Sequence, residues 1–218
     1  MTLSAAAAPA RFIVFEGIDG AGKSSQVAPL AAWLRDRGRT VVTCHDPGAT
    51  PAGDAIRDIL LDRHDLHLVP TAEMLLYMAA RAQLVDEVIR PCLARGAWVL
   101  SDRYLPANVV YQGHAGGLDP ETVRGVGAVA TGGLAPDLVL LLDVDLETAA
   151  RRLRRPLDKL ETRGDDYRGR LRAGYHAEAA RSPERFAVVD AAGEPAEVQA
   201  ALRAELERRF PELRSADR

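Results

Sequence analysis

A short apolar run, Phe12-Ile-Val-Phe15, leads without interruption into Glu16-Gly-Ile-Asp-Gly-Ala-Gly-Lys-Ser-Ser25, and no other stretch constrains the fold as tightly. Gly17, Gly22, Lys23 and Ser24 stand in the register G-x-x-x-x-G-K-[ST]. The glycines let backbone N–H groups close around phosphate oxygens, the helix that follows directs its positive end at them, and Lys23 adds a compact charge. A strand, a tight turn and a capped helix would account for the glycines alone. It is the Lys-Ser ending that points to a bound phosphate. Ser24 is then placed to hold a magnesium ion through its hydroxyl.

Lysine usage sharpens the role of Lys23. Of 28 lysines and arginines, only Lys23 and Lys159 are lysines. A guanidinium is broad and planar whereas an ammonium is a point charge, so a lysine kept inside this turn implies a site the fork would not fit.

The 218 residues are 47% hydrophobic, enough for a full core in one domain. A formal net charge of −3 and a pI near 6.0 argue against a nucleic-acid surface, which normally shows a basic excess. Cys44 and Cys92 lack the spacing of a zinc site and read as reduced, buried thiols of a cytoplasmic protein. The first ten residues have no basic start or long apolar stretch and read as a frayed tail, as do 211–218. No run is long enough to span a bilayer.

Apolar runs typical of buried parallel strands occur at 12–15, 40–44, 97–101, 138–143 and 186–189, with helical stretches between them. This alternation predicts a parallel sheet covered on both faces. Helices are expected from 23 to 37, stopping at Gly38, from 53 to 61, and from 71 to 95. The third strand ends in Asp102 and Arg103, where an acidic group would meet the magnesium of a phosphate-binding loop. From Arg151 to Arg172 there are eight arginines and Lys159. They form either a solvated helix face or a mobile flap whose cations close over a transferring group.

From Phe12 to about Val198 the chain resembles the thymidylate kinase family. Phe-Ile-Val-Phe-Glu-Gly-Ile-Asp-Gly-Ala-Gly-Lys-Ser is similar to that family's first strand and phosphate loop, and Asp46-Pro-Gly to its turn after the second strand. Arg57, the Tyr77–Arg81 pair, Asp102-Arg-Tyr104, and Asn108, Tyr111 and Gln112 match further family positions. The segment Asp158-Lys-Leu-Glu161 stands where Asp-Arg-x-Glu is common. His45 replaces the arginine usual in bacterial members, Asp46 is one methylene shorter than the usual Glu, and Ala21 stands where some members carry an arginine.

The resemblance implies an α/β fold of the P-loop NTPase type. Its three layers would hold a five-stranded parallel sheet flanked by helices in one domain (11–210), with a small mobile lid at about 152–165. It implies transfer of the γ-phosphoryl group of ATP to thymidine 5′-monophosphate (dTMP). Gly17, Asp19, Gly20, Ala21, Gly22, Lys23, Ser24, Ser25 and Arg152 would hold ATP, and Ser24 and Asp102 the Mg2+. Asp19, Asp46, Pro47, Arg57, Tyr77, Arg81, Arg103, Asn108, Tyr111 and Gln112 would hold dTMP. Lys23, Arg103, Arg154 and Arg155 would act on the transferring group. Its partners are then small-molecule nucleotides, with no nucleic acid or membrane, and the family's pairing through helices implies a homodimer.

Two rivals share the loop. A deoxynucleoside kinase needs a base for a sugar hydroxyl, whereas a monophosphate acceptor needs clustered cations, which Arg57, Arg81 and Arg103 supply. A nucleotide-dependent switch would have no use for the Tyr77–Arg81 pair.

Overall fold

The computed structural model describes residues 9–153 and 165–216. Strands β1 (Phe12–Glu16), β2 (Val41–His45), β3 (Trp98–Asp102), β4 (Leu138–Asp143) and β5 (Phe186–Asp190) form one sheet, all neighbours parallel, in the order β2-β3-β1-β4-β5. The central strand β1 is buried on both faces, because its alternate side chains serve two cores. Ile13 and Phe15 pack with α1 (Lys23–Asp36), α8 (Asp165–Arg181) and α9 (Pro195–Arg209), while Phe12 and Val14 pack with Leu84, Ile89 and Tyr104 on the other side.

The edge strands differ from the fully buried runs the sequence suggested. β2 and β5 alternate between buried and exposed residues, because each has a neighbour on one side only and a face partly open to water. Chain order reverses at β1, which sits between β3 and β4, so the crevice of this sheet opens beyond the carboxyl end of β1.

The helix expected from 71 to 95 is three pieces: α3 (Pro70–Leu84), a π-helical turn (Val85–Ile89) and α4 (Arg90–Ala94). Pro91 lacks an N–H and its ring would crowd the carbonyl four residues back, at Glu87, so the wider turn absorbs the misfit. A second π-helical turn, Val109–His114, follows the short α5 (Leu105–Asn108) and carries Tyr111 and Gln112. No periodicity in the sequence signals it.

The remaining helices are α2 (Pro51–Leu61), capped by Thr50, α6 (Pro120–Thr131), capped by Asp119, and α7 (Leu146–Arg152), capped by Asp145. The tail expected to fray from 211 is instead a 3-10 helix, Pro211–Ala216, because Leu213 is buried in the core against Phe210. Arg154, Arg155 and Lys159 of the expected lid lie outside the described residues, as do residues 1–8 of the expected N-terminal tail. Cys44 and Cys92 are free and buried. Among the described residues, no helix is long and apolar enough to cross a membrane.

Candidate active site

The phosphate-loop motif crosses from β1 to α1 at the carboxyl edge of the sheet. Gly17 and Gly20 have φ of 137° and 87°, and a Cβ at either would stand 2.4 and 2.3 Å from the carbonyl oxygens of Leu142 and Ala149. Only glycine allows both the positive φ and this approach to the end of β4 and to α7. Lys23 is 6% exposed, and its Nζ donates to the carbonyls of Gly17 (2.9 Å) and Ile18 (3.0 Å). Burial and neighbouring Arg103 push its pKa down, against Asp19 and Asp102, which hold it up.

Ser24 Oγ donates to Asp102 Oδ2 at 2.7 Å. The two residues come from α1 and the end of β3, and the parallel register Phe15↔Asp102 brings them together. Among the described residues, no cluster of three His, Cys, Asp or Glu side chains could hold a metal. One hydroxyl beside one carboxylate nonetheless suits Mg2+, which keeps several waters and takes its other ligands from substrate phosphates.

These groups line a cleft of about 1120 Å³. That exceeds the usual span for one small ligand, so there is room for two nucleotides. At one end, Arg152 donates to the carbonyls of Ala191 (2.6 Å), Ala192 (2.8 Å) and Gly193 (3.0 Å), and the turn that holds it, with Glu194 and Pro195, is a part of the wall the sequence reading missed. The signal available was the turn Ala191-Ala-Gly193 after the last strand. Ser25 lies nearby, its hydroxyl on Gly22 O at 2.7 Å.

At the other end, Arg57 donates to Pro47 O at 2.8 Å, and Tyr77 and Arg81 share a face of α3. Arg81 is 1% exposed and its Nε donates to Asp46 Oδ2 at 2.6 Å. Its Nη1 reaches Met78 Sδ (3.2 Å) and its Nη2 Tyr104 O (3.2 Å). Asp46 is therefore first of all the counter-ion of Arg81. Burial pushes its carboxyl up while Arg81 pulls it down, and burial prevails. Its Oδ1 is buried with no partner among the described residues. His45 is half exposed on the rim, 4.0 Å from Asp54.

Arg103 ties the two ends together. Its φ of 70° is in the left-handed region, held by Arg103 N on Phe15 O (3.0 Å) and by Ser101 Oγ on its carbonyl (2.7 Å). The guanidinium donates to Asp19 (2.5 Å), Gly17 O (3.2 Å) and the hydroxyls of Tyr175 and Tyr111 (both 3.0 Å). Burial alone would raise Asp19, but Arg103, Lys23 and the Tyr111 hydrogen bond together hold it well below the ordinary carboxylate range.

Glu16 and Tyr175 were not recognised from sequence as site residues. Glu16 is fully buried; its Oε1 accepts from Tyr104 N (3.0 Å) and Ala107 N (3.2 Å), and its Oε2 from Tyr175 Oη (2.8 Å). Nothing distinguished it from an ordinary strand-end residue, since its partners lie 88, 91 and 159 positions away. Burial raises its pKa to about 7, only partly opposed by Arg103, Tyr175, Tyr104 and Lys23.

The hydrogen bonds suit the carboxylate, because a proton on Oε2 would meet a hydroxyl that already donates there. As pH falls through about 7, Glu16 is expected to take up a proton and loosen the Arg103 turn, giving kcat/KM an acid limb. Glu16→Gln should be slow at every pH and lack the limb; a limb that persists belongs to another group. Stability runs the other way. With a folded value above the ordinary 4.5, the contribution of Glu16 is fullest below pH 4.5 and is lost as pH rises through 7.

The family model described as thymidylate kinase matches residues 15–202. Thymidylate kinase of Chromohalobacter salexigens is 45% identical over 206 residues, covering 93% of this chain and 97% of the relative. Thymidylate kinase of Clavibacter michiganensis subsp. michiganensis is 47% identical over 195 residues, covering 88% and 92%. The solved thymidylate kinase of Ehrlichia chaffeensis superposes with a TM-score of 0.75 at 26% identity, over 91% of this chain and 99% of that one.

The chain belongs to the thymidylate kinase family. It is a kinase that phosphorylates dTMP to dTDP with ATP as donor. Of the residues that the family resemblance marked, the structure brings all from Asp19 to Ser25, with Asp46, Pro47, Arg57, Tyr77, Arg81, Asp102, Arg103, Asn108, Tyr111, Gln112 and Arg152, to one cleft. Gly17 stands behind that wall, bonded through its carbonyl to Lys23 and Arg103. Among the described residues, Arg151 hydrogen-bonds only to Thr148 Oγ1 (3.3 Å), and it does not line the cleft.

Proposed function

We propose that ATP and dTMP meet end to end across the Lys23–Arg103 region of this cleft. The observation that carries this reading is Arg103. The residue directly after the Asp102 carboxylate is hydrogen-bonded to the phosphate loop itself, through Gly17 O and Asp19, so a phosphate gripped by Arg103 lies beside one held by the loop. Loop amides and Lys23 hold the donor phosphates. Ser24 and Asp102 hold magnesium, which when bound offsets phosphate charge. Arg57 and Arg103 hold the acceptor phosphate, Asp19 orients the acceptor, and Arg152 with the 191–195 turn receives the adenine.

The ring of Tyr77 faces the base, and Arg81, Asn108 and Gln112 address its edge. The ring of Tyr111 crowds the 2′ carbon and favours a deoxy sugar. Arg154 and Arg155 are the candidates for the cation on the transferring group, since no cation precedes Lys23 in the loop. Phosphoryl transfer asks for positioning and charge neutralisation, so no nucleophile of the protein is required. The chain is further proposed to act as a homodimer.

ADP release from ATP across dTMP, UMP, dCMP and thymidine, with and without magnesium, tests these roles. The expected order places dTMP first, UMP depressed by Tyr111, and thymidine inert. Equal use of UMP and dTMP would remove the Tyr111 assignment, and turnover of thymidine would make this a nucleoside kinase.

A further inference from the structure

Glu73 is a carboxylate buried in the first turn of α3, 6% exposed, on the wall behind the proposed base pocket. Its Oε1 accepts from Gln112 Nε2 at 2.9 Å, and Gln112 Oε1 in turn accepts from Asn108 Nδ2 at 2.6 Å. An amide can turn either end toward a neighbour, whereas a carboxylate only accepts. The chain therefore has one sense. Gln112 must give its NH2 to Glu73 and its oxygen to Asn108, and Asn108 must give its NH2 to Gln112. What remains is Asn108 Oδ1, buried and without a hydrogen-bond partner among the described residues, on a side chain that lines the cleft with Tyr77 and Arg81. A buried acceptor in that state needs a donor, and at the cleft wall a bound ligand can supply it.

We propose that Glu73 is a positioning residue for base selection: through Gln112 it holds the Asn108 carbonyl oxygen toward the cleft, ready for a pyrimidine with a ring N–H on that edge. A pyrimidine with an unprotonated ring nitrogen there would set acceptor against acceptor. The inference rests on the proposed reading that a pyrimidine nucleotide is the acceptor in this end of the cleft. Glu73 touches no reacting atom; its effect passes through two amides.

Calorimetric binding and kcat/KM for dTMP and dCMP, in wild type, Glu73→Gln and Glu73→Asp, test it, with the Tm of each variant measured. Glutamine is isosteric but can donate as well as accept, so the relay can reverse. The dTMP preference should shrink at least tenfold, through weaker dTMP and stronger dCMP binding. Aspartate still only accepts, so it should keep the preference within about twofold to threefold, whatever it costs in overall affinity. A purely structural Glu73 would lower Tm and leave the preference unchanged in both variants, which would overturn the inference. Equal shrinkage in Glu73→Asp would overturn it as well. If wild type itself shows no preference for dTMP over dCMP, the acceptor reading fails first, and that result is separate from anything the variants do.

Discussion

Lys23→Arg lowers kcat on the order of 10³-fold or more, even though the charge is kept. Lys23 Nζ sits between the Gly17 and Ile18 carbonyls, at 2.9 and 3.0 Å, in a loop whose glycines already touch the backbone of β4 and α7. A point charge can pivot from those carbonyls toward a phosphate oxygen. A planar fork with a longer reach would have to push the loop outward and lose the amide cradle. The loss belongs in kcat, because the interaction grows as charge shifts onto the bridging oxygen.

Lys23→Ala should be as inactive and also somewhat less stable, since two loop carbonyls lose a charged donor, at about 1.5–3 kcal/mol for each such bond. The measurement is steady-state kinetics with a melting curve for both variants. An arginine variant within tenfold of wild type would sink the argument from lysine usage and from the loop's tightness.

Arg103→Ala loses acceptor binding and fold stability together. Expected kcat/KM for dTMP drops on the order of 10²–10³-fold, with KM for dTMP rising and KM for ATP changing little. The stability loss has a separate cause. Without the guanidinium, Asp19 keeps, among the described residues, Lys23 at 3.7 Å and the Tyr111 hydroxyl at 2.9 Å to oppose its burial. Removing one partner of a partly buried pair costs about 2 kcal/mol here, or about 4–8 °C in Tm.

Arg103→Lys keeps the charge but cannot reach Asp19, Gly17 O and two tyrosine hydroxyls at once, so it should recover more of the Tm than of the activity. If Arg103→Ala left KM for dTMP within threefold, the acceptor phosphate would have to be held elsewhere.

Arg103 and Arg81, both assigned to the proposed acceptor end, show how differently similar motifs read. Arg103 was legible because it follows a strand-end Asp, and the structure adds the tyrosines that aim it. Arg81 was legible as half of an i, i+4 pair, but its guanidinium is committed to Asp46, Met78 and Tyr104, and a base bound there as proposed would have to use the donors left over. A helical spacing states which face a side chain shares, not how many of its hydrogen bonds are already taken.

Local chemistry alone determined the phosphate loop, the five strands and the parallel architecture, because glycine spacing, a Lys-Ser ending and apolar runs act within a few residues. The tertiary structure decided the rest. Glu16, Glu73 and Tyr175 look like ordinary strand and helix residues, and Asp46 like a turn residue, until the fold buries them. Once water is excluded, a carboxylate must find donors wherever the chain places them: Glu16 finds two backbone amides past β3 and a tyrosine on α8, and Glu73 a glutamine on the second π-helical turn. The two π-helical turns likewise have no local code; one absorbs Pro91, and the other carries Tyr111 and Gln112 into the cleft. Partners that are chosen by burial lie tens to hundreds of residues apart, and desolvation, which makes them necessary, exists only in the folded chain.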